Sequence, residues 1–253
     1  MDIPENHPRY NSLLLRHKLE EGVNQGLVTP TGMVAHGRGE AFDYLLGEAT
    51  PPATQAAIEA ACALLLLAKH PVLSLNGNTT VLVPEEMIAL GNAIPAKLEV
   101  NVFYGRTEER ERKLAKYLEQ FGAKNVLGVN PDGKIPLLES ARGNVSKEGI
   151  SAADVVLVAL EDGDRTEALI KMGKKVIAID LNPLSRTPQM ATVAIVDNIT
   201  RCVPLLTKTV ETMRSWSRER LQDVAEGFDN TAYLRAILEH ISNRLVKKHD
   251  PCC

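Results

Sequence analysis

The chain has 253 residues, 44% of them hydrophobic and 24% charged, with a net charge of −3. That is enough to bury a full core as one large α/β domain, and it leaves no basic field for nucleic acid. Aromatic residues at 4% also speak against a base-stacking surface.

The opening MDIPENHPRYNSLLLRHKL lacks the apolar core of a signal peptide. The longest apolar run, Ala60 to Ala68, is about half of what spans a bilayer. Cys62, Cys202, Cys252 and Cys253 fall in no zinc-ligand spacing. A reduced, cytoplasmic protein that binds neither nucleic acid nor membrane is expected.

Ser12 to Leu15 lead into a charged helix, Arg16 to Glu21, that stops at Gly22 to Gly26. A glycine-rich loop then carries His36, Arg38 and Glu40 into a helix over Ala41 to Leu46. Thr50 is the expected cap of a helix from Ala53 to Lys69, with proline in its first turn. From His70 the texture changes to short apolar strands alternating with helices. Strands are expected at Val72 to Leu75, Leu98 to Tyr104, Val126 to Val129, Val155 to Leu160, Val176 to Ile179 and Val193 to Val196. Asp164 and Glu167 suggest a capping box for a helix that Gly173 ends. Asn130 to Ser151 read as a long, mobile connection. Helices over Leu205 to Leu221 and Tyr233 to Val246 close the chain. This alternation predicts an α/β fold: a Rossmann-like, doubly wound, mostly parallel sheet with N-terminal and C-terminal helical extensions. It is one domain, with a helical region at 1–69, the core at 70–198 and terminal helices at 199–253.

In such a sheet ligands sit at the carboxyl ends of the strands. Asn76-Gly77-Asn78-Thr79-Thr80 follows the first strand and could cradle a phosphate on backbone amides. A capped strand–helix turn explains it equally well. No Walker A pattern and no complete GxGxxG are present, since Phe42 stands where the third glycine belongs. Arg106 follows the second strand. Asp180-Leu181-Asn182-Pro183 suits a nucleoside pocket, and Ser185-Arg186-Thr187 offers donors to phosphate, with Arg201 at a neighbouring strand end. Between Thr31 and Glu48, TGMVAHGRGEAFDYLLGE gathers His36, Arg38, Glu40 and Asp43 around glycines that let a ligand approach the main chain.

Five strings are family-specific: IPENHPRYNSLLLRHKLEEGV, TPTGMVAHGRGEAFDYLLGE, SLNGNTTVLVPEEM, ADVVLVALEDGDRTEALIKMGKKVIAIDLNPLSRTPQMA and IVDNITRCVP. Through them, from Ile3 to about Pro204, the chain resembles the archaeal phosphopantothenate synthetases, or 4-phosphopantoate–β-alanine ligases. The resemblance implies ATP-dependent joining of 4-phosphopantoate to β-alanine in coenzyme A synthesis, with AMP and diphosphate released. It also implies a homodimer. Its nucleotide contacts fall on Arg16, Arg38, Asp180, Leu181, Asn182, Arg186, Thr187, Asn198 and Ile199. Magnesium is expected on the ATP phosphates, with no metal site built from protein alone. Arg38 is the expected stabiliser of the transition state, with His36 and Glu40 as candidates for the amine proton. Asn76, Gly77, Asn78, Thr79, Thr80 and Arg106 are assigned to phosphopantoate. A phosphotransferase giving ADP and a non-catalytic nucleotide-binding dimer are the alternatives, and an NAD-dependent dehydrogenase is disfavoured by the broken glycine fingerprint.

Overall fold

The computed structural model describes residues 4–7, 9–102, 108–136 and 138–248. Three helices come first: α1 (Tyr10–Asn24), α2 (Pro30–Leu46) and α3 (Thr54–Leu67). The α/β core follows as β1 (Pro71–Leu75), α4 (Gly77–Leu82), α5 (Pro84–Ala93), β2 (Lys97–Val100) and α6 (Glu108–Gln120). A two-stranded excursion, β3 (Gly133–Lys134) with β4 (Asn144–Val145), precedes β5 (Val155–Ala159) and α7 (Gly163–Lys171). Then come β6 (Lys175–Ile179), α8 (Arg186–Met190), β7 (Val193–Ile195), α9 (Ile199–Met213), α10 (Arg218–Glu226) and α11 (Asn230–Lys248).

The large sheet has the order β2-β1-β5-β6-β7, and its neighbouring strands all run parallel. The chain grows outward from β1 to β2, then crosses back and grows the other way, which puts the switch point between β1 and β5. Alternation along the strands divides the core into two. Leu73, Leu75, Leu157, Ile177 and Ile179 face the layer made by α1 to α6 and α9 to α11. Val72, Val156, Val158, Val176 and Ala178 face α7 and the excursion. A strand buried on both faces must be apolar throughout, which is why these segments read as unbroken hydrophobic runs.

Several expectations are corrected. His36, Gly37, Arg38, Gly39 and Glu40 do not form a loop: they lie inside α2, whose start is capped by Thr29 accepting from the Gly32 amide at 3.1 Å, with Pro30 at the first helical position. Asn76 to Thr80 is likewise no open loop. Asn76 caps α4 by accepting from the Thr79 amide at 3.0 Å. Val126 to Val129 make a single bridge, Glu99 to Leu127, before Gly128 at φ 98° turns the chain away. Asp164 and Glu167 make no capping box, because α7 has no side-chain cap; Asp164 accepts from Arg142 and Glu167 pairs with Lys171 and Arg186. Thr50 does not cap α3; its hydroxyl donates to Asp197 at 2.7 Å. The last helices break differently too. Pro204 lies within α9, and Ser217 caps a separate α10.

The 130–151 connection is fastened to the sheet edge. Fully buried Glu99 accepts from the amides of Ser146 (2.8 Å) and Ile150 (2.6 Å). Arg106, Tyr104, Cys252 and Cys253 lie outside the described residues.

Candidate active site

A cavity of about 560 Å³ opens over the carboxyl ends of β5, β6 and β7. One wall is the start of α1, with His7, Arg9, Asn11 and Ser12; the opposite wall is α2, with His36, Gly39, Glu40 and Asp43. The sheet rim contributes Leu160, Asp180, Leu181 and Asp197, and α9 contributes Asn198, Ile199, Thr200 and Arg201. The helical period explains the α2 wall, since residues 36, 40 and 43 share one face. Gly39 matters here through its size. A Cβ at that position would stand 3.3 Å from Leu181 Cδ1, so the glycine lets α2 lie close against the β6–α8 loop.

Glu40 is the organiser of the α1–α2 wall. Its Oε2 accepts from Arg16 Nη2 (2.6 Å) and Nε (3.0 Å), and its Oε1 accepts from Tyr44 (2.7 Å) and Arg9 (3.4 Å). Burial works against its charge, but the hydrogen bonds from Tyr44 and Arg16 outweigh it and hold the carboxyl below its ordinary range. Glu40 is therefore a fixed carboxylate. His36, one turn away, is also shifted downward, which for an imidazole favours the uncharged form. Burial lowers its pKa, Glu40 opposes the fall, and the Arg16 charge adds to it. Burial thus favours the neutral imidazole on this cavity wall.

The rim is equally well held. Asp180 accepts from the Asn182 amide (2.9 Å) and the Ser185 hydroxyl (2.7 Å), and burial raises its pKa against the pull of these donors and of Arg38. Asn198 caps α9 through the Thr200 amide at 3.1 Å, and its side-chain amide donates to Asp43 at 2.9 Å.

The structure thus brings His36, Glu40, Asp180, Leu181, Asn198 and Ile199 to one cavity. Arg16 stands just behind Glu40. Arg38 is exposed on α2, close enough to Asp180 to affect its charge, and has no hydrogen bond or ion pair among the described residues. Asn182 spends its side chain on the Leu184 amide at 2.9 Å. Arg186 points to Glu167, and buried Thr187 donates to the Glu161 carbonyl at 2.6 Å, so neither lines the cavity. Asn76, Asn78, Thr79 and Thr80 are buried and also off the cavity wall. Asn76 donates to the Ala159 carbonyl at 2.8 Å across the switch point, and Asn78 to the Gly32 carbonyl at 2.9 Å. Gly77 is a packing glycine, since a Cβ there would collide with the Leu27 carbonyl oxygen.

Sequence reasoning missed Arg9, His7 and Asn11, and left the Asp43–Arg201–Asp197 cluster without a role. Reading α2 as a helix from its Thr29-Pro30 start would have placed Asp43 on the His36 face.

Fold and site together define a Rossmann-like α/β protein whose polar cavity lies where this class of sheet binds its ligands. Within that class, the chain belongs to the phosphopantothenate/pantothenate synthetase family, whose model matches residues 53–244. It is 51% identical to a 4-phosphopantoate–beta-alanine ligase of Thermococcus kodakarensis, over 98% of this chain and 95% of that protein. A ligase of the same name from Thermococcus onnurineus is 52% identical, over 97% of this chain and 94% of the relative. Another from Methanosarcina mazei is 46% identical over 96% of each.

Proposed function

We propose that this chain joins 4-phosphopantoate to β-alanine at the expense of ATP, in the pathway to coenzyme A. The observation that carries the reading is the cavity itself. Asp180-Leu181 and Asn198-Ile199, the segments we propose for the nucleotide, line it opposite the helix that carries His36, whose imidazolium burial disfavours. In the first step the phosphopantoate carboxylate attacks the α-phosphorus, and diphosphate leaves. In the second, the amine of β-alanine attacks the acyl-adenylate carbonyl, and AMP leaves. Both steps are limited by bringing anions together and stabilising oxyanions, so arginines and amides suffice and no nucleophilic side chain is needed.

The amine must shed a proton before it attacks. We assign that proton to the His36 imidazole, because Glu40 is locked in its charged form by Tyr44 and Arg16. Arg38, which has no hydrogen bond or ion pair among the described residues, is free to meet the phosphates or the oxyanion. Arg16, Asn182, Arg186 and Thr187 remain proposed nucleotide contacts through the family. For the phosphate of phosphopantoate we favour the α1 wall, where Arg9 makes only a long contact to Glu40 at 3.4 Å, over the buried Asn76–Thr80 turn.

Among the described residues no group of three or more histidine, cysteine or carboxylate side chains could hold a metal ion. Magnesium is held mostly by substrate phosphates and water with one or two carboxylates, and Asp180 on the cavity rim is the carboxylate we propose for it. When bound, the ion would neutralise phosphate charge. Among the described residues no helix is long and apolar enough to cross a membrane. Exposed Val34 and Tyr44 on α2 and Leu238, Leu245 and Val246 on α11 support a homodimer, which sedimentation equilibrium would check.

The deciding experiment follows nucleotide products with phosphopantoate and β-alanine present. AMP with diphosphate is expected, and both substrates should be required for product. ADP would mean a phosphotransferase, and ATP binding without turnover would mean a nucleotide-binding protein only.

A further inference from the structure

Arg201 is a heavily engaged side chain of the cavity wall, and the proposed chemistry does not use it. It sits in the first turn of α9, about one-quarter exposed. Its Nη2 lies 2.5 Å from Asp43 Oδ1 and 2.7 Å from Asp197 Oδ1. Its Nη1 is 3.1 Å from Asp43 Oδ2, and its Nε is 2.9 Å from Asp197 Oδ1. Both carboxylates are buried, and their other donors are neutral: Asn198 on Asp43, and Thr50 with the Asn198 amide on Asp197.

The cluster joins two pieces of the molecule, because Asp197 and Arg201 are only four residues apart and Asp43 comes from far away in the chain. Asp43 belongs to α2, on the same face as His36; Asp197 follows β7; Arg201 begins α9. Only a planar guanidinium can hold two carboxylates at fixed angles in this way, since an ammonium is a point charge without a fork. One positive charge between two negative ones is also a poor means of neutralising a buried carboxylate. The geometry therefore looks built for alignment rather than for charge balance.

We propose that Arg201 is a positioning residue. Through Asp43 and Asp197 it fixes the separation between the His36 face of α2 and the Asn198-Ile199 end of the nucleotide site. The proposal rests on the ligase reading above, in which His36 must meet an amine held beside the bound nucleotide.

The test compares Arg201→Gln, Arg201→Lys and the double variant Arg201→Gln/Asp43→Asn, which keeps the cluster's net charge. AMP release gives kcat, calorimetry gives the ATP Kd, and thermal unfolding monitors the fold. Arg201→Gln should lower kcat about 100-fold, the scale of a misplacement of about 1 Å, while the ATP Kd changes by less than about threefold. Arg201→Lys should recover only part of the loss, because it reaches one carboxylate at a time. The double variant should regain thermal stability without regaining kcat. If Arg201→Gln does not fold, the other two variants carry the comparison.

Wild-type kcat in the double variant would show that Arg201 serves charge alone. Wild-type kcat in Arg201→Lys, or a Kd that weakens by the same factor as kcat falls, would equally overturn the proposal. Should the wild-type chain release no AMP, the ligase reading fails on its own. The bridge is then judged by amide exchange over residues 36–43, which must accelerate in the double variant; unchanged exchange there sinks it.

Discussion

Two successive turns of α2, bearing His36 and Glu40, show how neighbours decide who handles a proton. Glu40 is held by Arg16, Arg9 and Tyr44, so despite burial its carboxyl stays charged to a lower pH than a free glutamate. His36 loses its charge early, because burial disfavours the imidazolium more than Glu40 favours it. The sign follows directly. A lowered folded-state pKa means that the neutral, proton-accepting form prevails above it, so activity is present near neutrality and is lost as pH falls through a value below 6.5, the imidazole's unperturbed pKa. We expect kcat to show an acid limb below pH 6.5, falling tenfold per unit. His36→Asn should abolish that limb and lower the plateau by about 100-fold or more. A pH–kcat profile from 5 to 8 checks both, and an acid limb that survives in His36→Asn would return the role to another group. The same shift bears on stability: the unfolded chain takes up the proton first, so His36 contributes stability above its unfolded pKa and withdraws it on acidification.

At the scale of elements, what was legible in the sequence depended on whether local pattern and tertiary packing agreed. β1, β5, β6 and β7 were legible, because a strand between two helical layers has no polar face to confuse the reading. Asp180 and Asn198 were legible as strand ends for the same reason, as polar residues just past an apolar run. α2 was not. Glycines at 32, 37 and 39 each disfavour a helix by about 1 kcal/mol relative to alanine, and the local signal therefore reads as loop. Packing overrides it: Gly39 admits Leu181, and the Gly32 carbonyl receives Asn78. Asn76 to Thr80 misled in the opposite sense. A glycine beside asparagines and threonines resembles a phosphate cradle, yet here the glycine makes room for the Leu27 carbonyl and the polar side chains cap α4 and tie β1 to β5. Gly77→Ala tests this assignment. It should lower unfolding free energy by about 1–3 kcal/mol in urea titrations, the range for overpacking a tight site, and leave the KM for phosphopantoate unchanged. A raised KM with unchanged stability would restore the phosphate-binding reading of the turn.

For the molecule as a whole, the cavity is a junction rather than a feature of one segment. Its walls come from the first helix, from α2, from three strand ends on the far side of the switch point, and from α9. Residues nearly two hundred positions apart must already be in place before the pocket exists, so a ligand that fills it binds the folded state and not the unfolded chain. Linkage then fixes the size of the response. ATP with magnesium at 100 times its Kd should add about 2.7 kcal/mol to stability. For a domain of this length each kcal/mol raises Tm by about 2–4 °C, so a shift of roughly 5–10 °C is expected in a thermal scan. Where the protection falls matters as much as its size. Amide exchange should slow at the start of α9 and at residues 180–182 with ATP alone, because those segments are the proposed nucleotide end. The start of α1 around Arg9 should respond mainly when phosphopantoate is added, since that wall is the one proposed for its phosphate. Protection of α1 by ATP alone, with nothing further on adding phosphopantoate, would mean that the two anions occupy the cavity in the reverse order.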